Sequence, residues 1–312
     1  MSKIYNPDLL YFLTVFCSHP AFLPWHRLFV SVVEKRLQKI NPTITIPYWD
    51  WSFDWSSPLK SPIFSPDLGL DVQIGSRGDC RYRRQFPRPH CLIRNYNPRN
   101  FTAFYPSETI DAVVRSARDF DQIRQRIEWV PHGLVHAAVG GPDGDMTAMH
   151  SPNDPIFWLH HANVDRLWWN WQQSGTKTPS NSRRSSIVNP LIDYRGRTNE
   201  GVRVRITDTL NPFGLTVNQT FYTESLCYTY APFSQWATAG RQRRRPSRGF
   251  FLPDPIPGSW IRMHGMNMEK FRKEESVLVQ LMAVQQQQSQ HISEQESLQV
   301  VIDENDQIIT TQ

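Results

Sequence analysis

The sequence predicts a mainly α-helical domain, a bundle of helices with long loops and a few short strands. Three observations carry this reading. Apolar residues recur at helical spacing over 24–40, 107–129 and 155–173. Histidines fall on the inner stripes of helical segments. Strand-like alternation is confined to 201–230. With 12% aromatic residues and 11 Trp in 312 residues, the chain has the apolar material for a large buried core and is not a disordered polymer.

In chain order, Leu9 to Cys17 is an apolar run behind Lys3. It resembles a secretory signal only faintly, since no small-residue cleavage site follows, and a helix cut off at its start is the preferred reading. The segment 24–40 is a helix: Pro24 suits a first turn, and His26, Phe29, Val30, Val33 and Leu37 share one face until Asn41-Pro42 stops it. Residues 43–51 are extended. Residues 52–106, rich in Pro, Ser, Gly and Arg, form a long ordered loop that holds Cys80 and Cys91. Helical spacing returns over 107–129. A short helix begins at Pro131 and ends at Gly140-Gly141. Asp154-Pro155 is a start signal, Asp as N-cap and Pro as first residue, for a helix over about 155–173. Its stripe is Phe157, His161, Val164, Trp168 and Trp171. The segments VRVRIT and QTFYTESLCYTY read as strands. This gives a domain over 1–231, a basic, Pro-rich linker over 232–268, and a Gln-rich tail over 269–312, helical to about 300.

Several classes fall away on composition. The net charge of +5 equals the five arginines of RQRRRPSR at 241–248, so the basicity is one tract and not a nucleic-acid-binding face. That tract is either a solvated linker or a processing site. Four cysteines exclude a disulfide-dense scaffold. No apolar run reaches the roughly 18 residues that a membrane span needs.

The histidines carry the chemistry. His132 and His136, four apart on one helix, project from the same face. His161 lies on the apolar stripe of its helix, and His26 on the inner face of another. Four inward imidazoles on three helices can converge in a bundle core, where metal sites are built, and imidazole-only ligation suits Zn, Cu, Fe or Ni. Gly133 stands where a zinc hydrolase of the HExxH type has its glutamate, which removes that class. His160, about one helical step off the stripe, reads as a packing or outer residue around the site. His150 reads as structural, and His90, His264 and His291 as surface residues.

At these residues the chain resembles the tyrosinase family: tyrosinases, catechol oxidases (polyphenol oxidases) and haemocyanin domains with a type-3 dicopper centre. DPIFWLHHANVD, Asp154 to Asp165, matches the family's second-copper signature and makes His161 a ligand. PHGLVH matches the helix that carries the other two, His132 and His136. FLPWHRLFVSVVE matches most of the first-copper signature and makes His26 its last ligand. PYWDW, the Cys80/Cys91 pair and Tyr228-Thr229-Tyr230 are similar to further family features, the two cysteines to a disulfide. The resemblance implies a tyrosinase-like four-helix bundle around a dicopper site. It implies O2 as oxidant, a small phenol as substrate and o-diphenol oxidation to o-quinones. Glu128 is similar in position to the family's water-orienting glutamate, or else is an acid on the helix surface. Phe157, His160 and Asp165 would surround the ligands. Gly133 offers no side chain where tyrosinases carry Asn, which favours diphenols over monophenols.

The first-copper half departs from the pattern. The family places a histidine nine residues before His26, and that position is Cys17; His19 lies seven before. Either Cys17 replaces the ligand and His19 is a loop residue, or Cys17-Ser18-His19 is the family's Cys-x-His motif with two residues deleted, His19 binding copper and Cys17 able to form the thioether. Residues 1–18 contain no histidine, so at most two of three ligands are present. The abrupt start favours a truncated oxidase over a degenerate relative that holds one copper or none and serves as a binding or structural module. The Cys80/Cys91 pair and the sequons at Asn100 and Asn218 favour an exported or vesicular protein.

Overall fold

The computed structural model describes residues 17–65, 67, 70, 80, 83–84, 87–95, 103–174, 189–231, 252–285 and 287. Helix α1 (Phe22–Gln38) packs along α5 (Pro155–Ser174). Helices α2 (Ser107–Ser116) and α3 (Phe120–Ile127) also lie on α5. A π-helical turn (Glu128–His132) runs from α3 straight into α4 (Gly133–Gly140), so 120–140 is one continuous rod. This is the expected bundle. Strand is limited to two short antiparallel ladders, β1 (Arg83–Arg84) with β2 (His90–Cys91) and β3 (Thr209–Leu210) with β4 (Leu215–Thr216).

The clamp between α1 and α5 is polar as well as apolar. The Arg27 guanidinium lies 3.6 Å from the centre of the Trp168 ring. It donates to Asp165 on α5, to Gln172 and to the carbonyls of Thr220 and Phe221. The Asp165 carboxylate also accepts from the Tyr228 and Tyr230 hydroxyls. A buried charge needs this many partners to remain charged at tolerable cost. At the start of α5, Asp154 accepts from the Ile156 amide at 2.8 Å and takes two bonds of 2.6 Å from Arg94, tying the long loop to the helix.

Three local expectations are corrected. The stretch 107–129 is not one helix: Ala117 is extended, and Asp119 restarts the chain as N-cap, accepting from the Gln122 amide at 2.9 Å. Pro131 does not begin a helix; it sits inside the π-turn, where the wider spacing relieves the clash of its ring with the preceding turn. QTFYTESLCYTY is not a strand but includes parts of two 3-10 turns, Val217–Thr220 and Thr223–Leu226. Val217, Thr220, Phe221 and Leu226 face inward at the spacing of such turns, and a Thr216/Gln219 capping box starts the first.

Cys80 and Cys91 are joined by a disulfide. Beyond the Arg-rich tract, which with His291 and Asn100 lies outside the described residues, α6 (Gly258–Met263) and α7 (268–285) fold back onto the domain. Trp260, Ile261, Phe271, Leu278 and Met282 join the main core. Arg126 of α3 lies 3.6 Å from Glu274 of α7. Among the described residues, no helix is long and apolar enough to cross a membrane.

Candidate metal centre

Each imidazole of the centre is aimed by its own backbone. The Nδ1 atoms of His26 and His132 lie 2.9 and 2.7 Å from the carbonyls of Phe22 and Glu128, each four residues back. The Nδ1 of His136 lies 2.7 Å from the Met146 carbonyl, in the loop that follows α4. A carbonyl only accepts, so each Nδ1 carries the proton and each Nε2 keeps its lone pair. His136 and His161 bring their Nε2 atoms to 3.2 Å from one another. Two bare lone pairs at that distance repel, so the geometry calls for a proton or a cation between them.

His132, His136, His160 and His161 form a buried group in which one ring nitrogen of each lies within 4.8 Å of the others. The His160 ring stacks on His132, centroids 5.2 Å apart, and is 4.9 Å from His136. Neither of its nitrogens meets a hydrogen-bond partner, nor does the Nδ1 of His161. His160 thus lies inside the cluster rather than outside it. His26 stacks on His161 at 4.3 Å, nearly parallel. Phe157 packs on His161 at 4.1 Å and lines the same pocket. Burial holds all five imidazoles neutral, His26 down to about 4 and His136 down to about 3, with His132, His160 and His161 pushed well below the ordinary range by burial and by one another. A dry set of neutral imidazoles with unpartnered nitrogens fits a soft-to-borderline transition metal such as copper.

Other expected residues fall in different places. Asp165 clamps α1 to α5 and reaches the imidazoles only through that scaffold. Glu128 is fully buried and not a surface acid. Its carboxylate accepts from the Ser18 amide and from Arg124 at 2.9 Å, and burial pushes its pKa up to about 7. Cys17 lines the pocket beside His26, and burial with the nearby Glu128 charge pushes its thiol well up. His19 accepts from the Ala21 amide at 3.0 Å through Nδ1, and its charge environment is that of Arg124, Asp208 and Glu200. Of the two N-terminal alignments, the placement favours Cys17 facing the pocket.

His264, read as a surface residue, is buried and lines the pocket. Its Nδ1 lies 2.9 Å from the Trp260 carbonyl, the same four-back bond that aims His26 and His132, and the two rings stack at 3.8 Å. The signal in the sequence is an aromatic residue four before a histidine on a helical turn, as in Phe22 and His26. Gly133 also gains a structural reason. A Cβ there would stand 2.8 Å from the Trp260 indole, so the ring occupies the space a side chain would need.

Comparison with known proteins agrees with this arrangement. The family model for the common central domain of tyrosinase matches residues 7–174. Tyrosinase ustQ of Aspergillus flavus is 30% identical over 244 residues, which cover 67% of this chain and 63% of that protein. A tyrosinase of Streptomyces antibioticus is 32% identical over 188 residues, 51% of this chain and 65% of its own. The chain thus spans less than two thirds of the length of these curated relatives. A solved polyphenol oxidase variant from Thermothelomyces thermophila superposes with a TM-score of 0.52 at 23% identity, over 70% of this chain and 77% of its own, which supports the helical fold. With more than half of its length matched by the central-domain model, the chain belongs to the tyrosinase family.

Proposed function

We propose that this protein is a copper oxidoreductase that oxidises o-diphenols to o-quinones with O2, and that His132, His136 and His161 hold its better-made copper site. The observation that carries this reading is the buried group of neutral imidazoles, their lone pairs converging within 4.8 Å. Bound copper supplies the O2 affinity and redox chemistry with which two catechols and one O2 become two quinones and two waters. The chain's own residues do the rest. Backbone carbonyls fix the ring tautomers of His26, His132 and His136. Phe22 and Phe157 keep the pocket apolar and exclude water. Glu128 provides a carboxyl able to hold or release a proton near neutral pH beside Cys17. Gly133 leaves the pocket rim without a polar side chain, which favours diphenols over monophenols as substrates.

One observation favours a second reading, a protein that holds one copper and does not turn over. Among the described residues, the first-copper side presents His26 and a Cys17 whose thiol is held protonated. Copper content and o-quinone formation from a simple catechol, measured together on copper-loaded full chain, separate the two. Copper with quinone production supports the oxidase, and one tightly held copper with no quinone supports the second reading. Retention no better than that of a variant lacking His132, His136 and His161 refutes both.

A further inference from the structure

Away from the buried centre, His90, Asp145 and His150 bring one donor atom each within 4.8 Å of the others. We propose that these three residues form a second metal site, open to solvent, for a divalent first-row cation, with zinc as the fitting ion and Cu2+ as its competitor. The proposal does not rest on the copper reading above.

The arrangement is built from its base upward. The Asp145 side chain is only 2% exposed, while those of His90 and His150 are 24% and 25% exposed. A nearly buried carboxylate therefore faces two imidazoles at a rim. Asp145 is locked in place: its amide donates to the Ile93 carbonyl at 2.9 Å, its Oδ2 accepts from the Ile93 amide at 2.9 Å, and its Oδ1 accepts from the Asn153 amide group at 3.0 Å. His90 stands beside the disulfide half Cys91 on β2, so its backbone is tethered as well.

The His90 ring has acceptors on both sides. Its Nδ1 is 2.7 Å from the Arg88 carbonyl and its Nε2 is 2.9 Å from Asp145 Oδ1. A neutral imidazole has one proton, so it satisfies one of these and sets a lone pair against an oxygen at the other. A second proton or a metal cation at Nε2 resolves this. The His150 Nε2 approaches the same Oδ1 at 3.6 Å, with the two rings nearly perpendicular and centroids 5.6 Å apart. Donors at about 2.0–2.2 Å from a tetrahedral zinc stand about 3.3–3.4 Å from one another. The distances of 2.9 and 3.6 Å bracket that value, so shifts of a few tenths of an ångström admit an ion. Two imidazoles and a carboxylate, with solvent for the remaining position, make a zinc or copper donor set, whereas calcium and magnesium prefer all-oxygen shells. Arg84 is near enough to His90 to oppose added positive charge, and the Asp145 carboxylate is the counter-charge that offsets it.

The place of this site matters. It joins the disulfide-bearing hairpin to the loop after α4, and the next residue, Met146, supplies the carbonyl that aims His136.

The test is zinc binding to the full chain, followed by calorimetry and by metal content after dialysis. A variant lacking the core ligands, His132→Ala with His161→Ala, should retain one zinc per chain with micromolar affinity, and the further changes His90→Ala and His150→Ala should abolish it. Retention of that zinc after the second pair of changes, or no zinc in the core variant, overturns the proposal. If the core variant does not fold, the unaltered chain serves. Zinc at micromolar concentration should protect His90 and His150 from diethyl pyrocarbonate, read by peptide mass spectrometry; unchanged modification at both overturns it.

Discussion

The two halves of the metal centre are made differently. On the side of His132, His136 and His161, the imidazoles come from one continuous rod and from α5, with two of them pinned by carbonyls. On the other side stand His26, equally well pinned on α1, and Cys17, which precedes any helix and is half-buried. The first half is held by packing that the rest of the fold also needs. The second depends on a short stretch before α1. A site whose ligands sit on core helices keeps its geometry when chain is changed elsewhere, and one that leans on a terminal segment does not.

The largest test of this contrast is copper retention. Replacing His132, His136 and His161 together by alanine should abolish it, while His26→Ala should leave about one copper per chain. Equal loss in both would show the halves to be equivalent. Next in size is Cys17→His, which puts a third-row-period imidazole donor in place of a protonated thiol beside His26. A gained ligand should exceed the roughly 10–100-fold in affinity that outer partners contribute. Competition with a copper chelator measures this, and an unchanged affinity would mean that residue 17 does not face the metal.

Acid should strike the copper-free protein. The unfolded chain takes up protons on His26, His136 and His264 near pH 6.5, while the folded chain resists until about 4, 3 and 4. Unfolded chain binds more protons in that window, so stability falls as pH drops from 6.5 towards 4, at up to about 1.4 kcal/mol per pH unit for each group. Glu128, raised to about 7, works in the opposite direction between 4.5 and 7, one group against several. Bound copper should flatten the profile, because it competes with protons for the same nitrogens. Denaturation at a series of pH values, with and without copper, reads this. A copper-free stability that does not decline below pH 6 would contradict it. The smallest effect belongs to Gly133→Ala. Its Cβ would meet Trp260 at 2.8 Å, and overpacking of this kind costs about 1–3 kcal/mol, from which the better helix propensity of alanine recovers about 1. Chemical denaturation measures it, and a stabilised variant would show that Trp260 moves aside freely.

What the sequence revealed follows from how local each signal is. His132 and His136 were legible because four-residue spacing on a helix is decided within one turn, and Asp154-Pro155 because a cap needs only its neighbours. The halves of the 107–129 segment were not separable, since Ala117 breaks the helix without a Gly or Pro to mark it. The strand reading of QTFYTESLCYTY failed because inward residues at a spacing of three mimic alternation in a short stretch. His264 was hidden for the opposite reason. Its burial is created by α6 and α7 docking on a rod far away in sequence, which no local pattern records. His160 was placed outside the cluster by a strict stripe argument, yet a buried helix with neighbours on several sides can present two adjacent residues to one cavity.

The π-turn at Glu128–His132 has a consequence for insertions and deletions. Such a turn is an α-helix that has absorbed one residue too many. Removing a single residue there would let the rod relax to ordinary winding, and everything beyond would rotate by about 100° relative to α3. His136 would swing away from His161 while the apolar content and charge of the chain stayed almost the same. The angular phase between α3 and α4 is therefore set by the count of residues in one turn, and a change of one in that count is a more severe alteration to this centre than most substitutions around it.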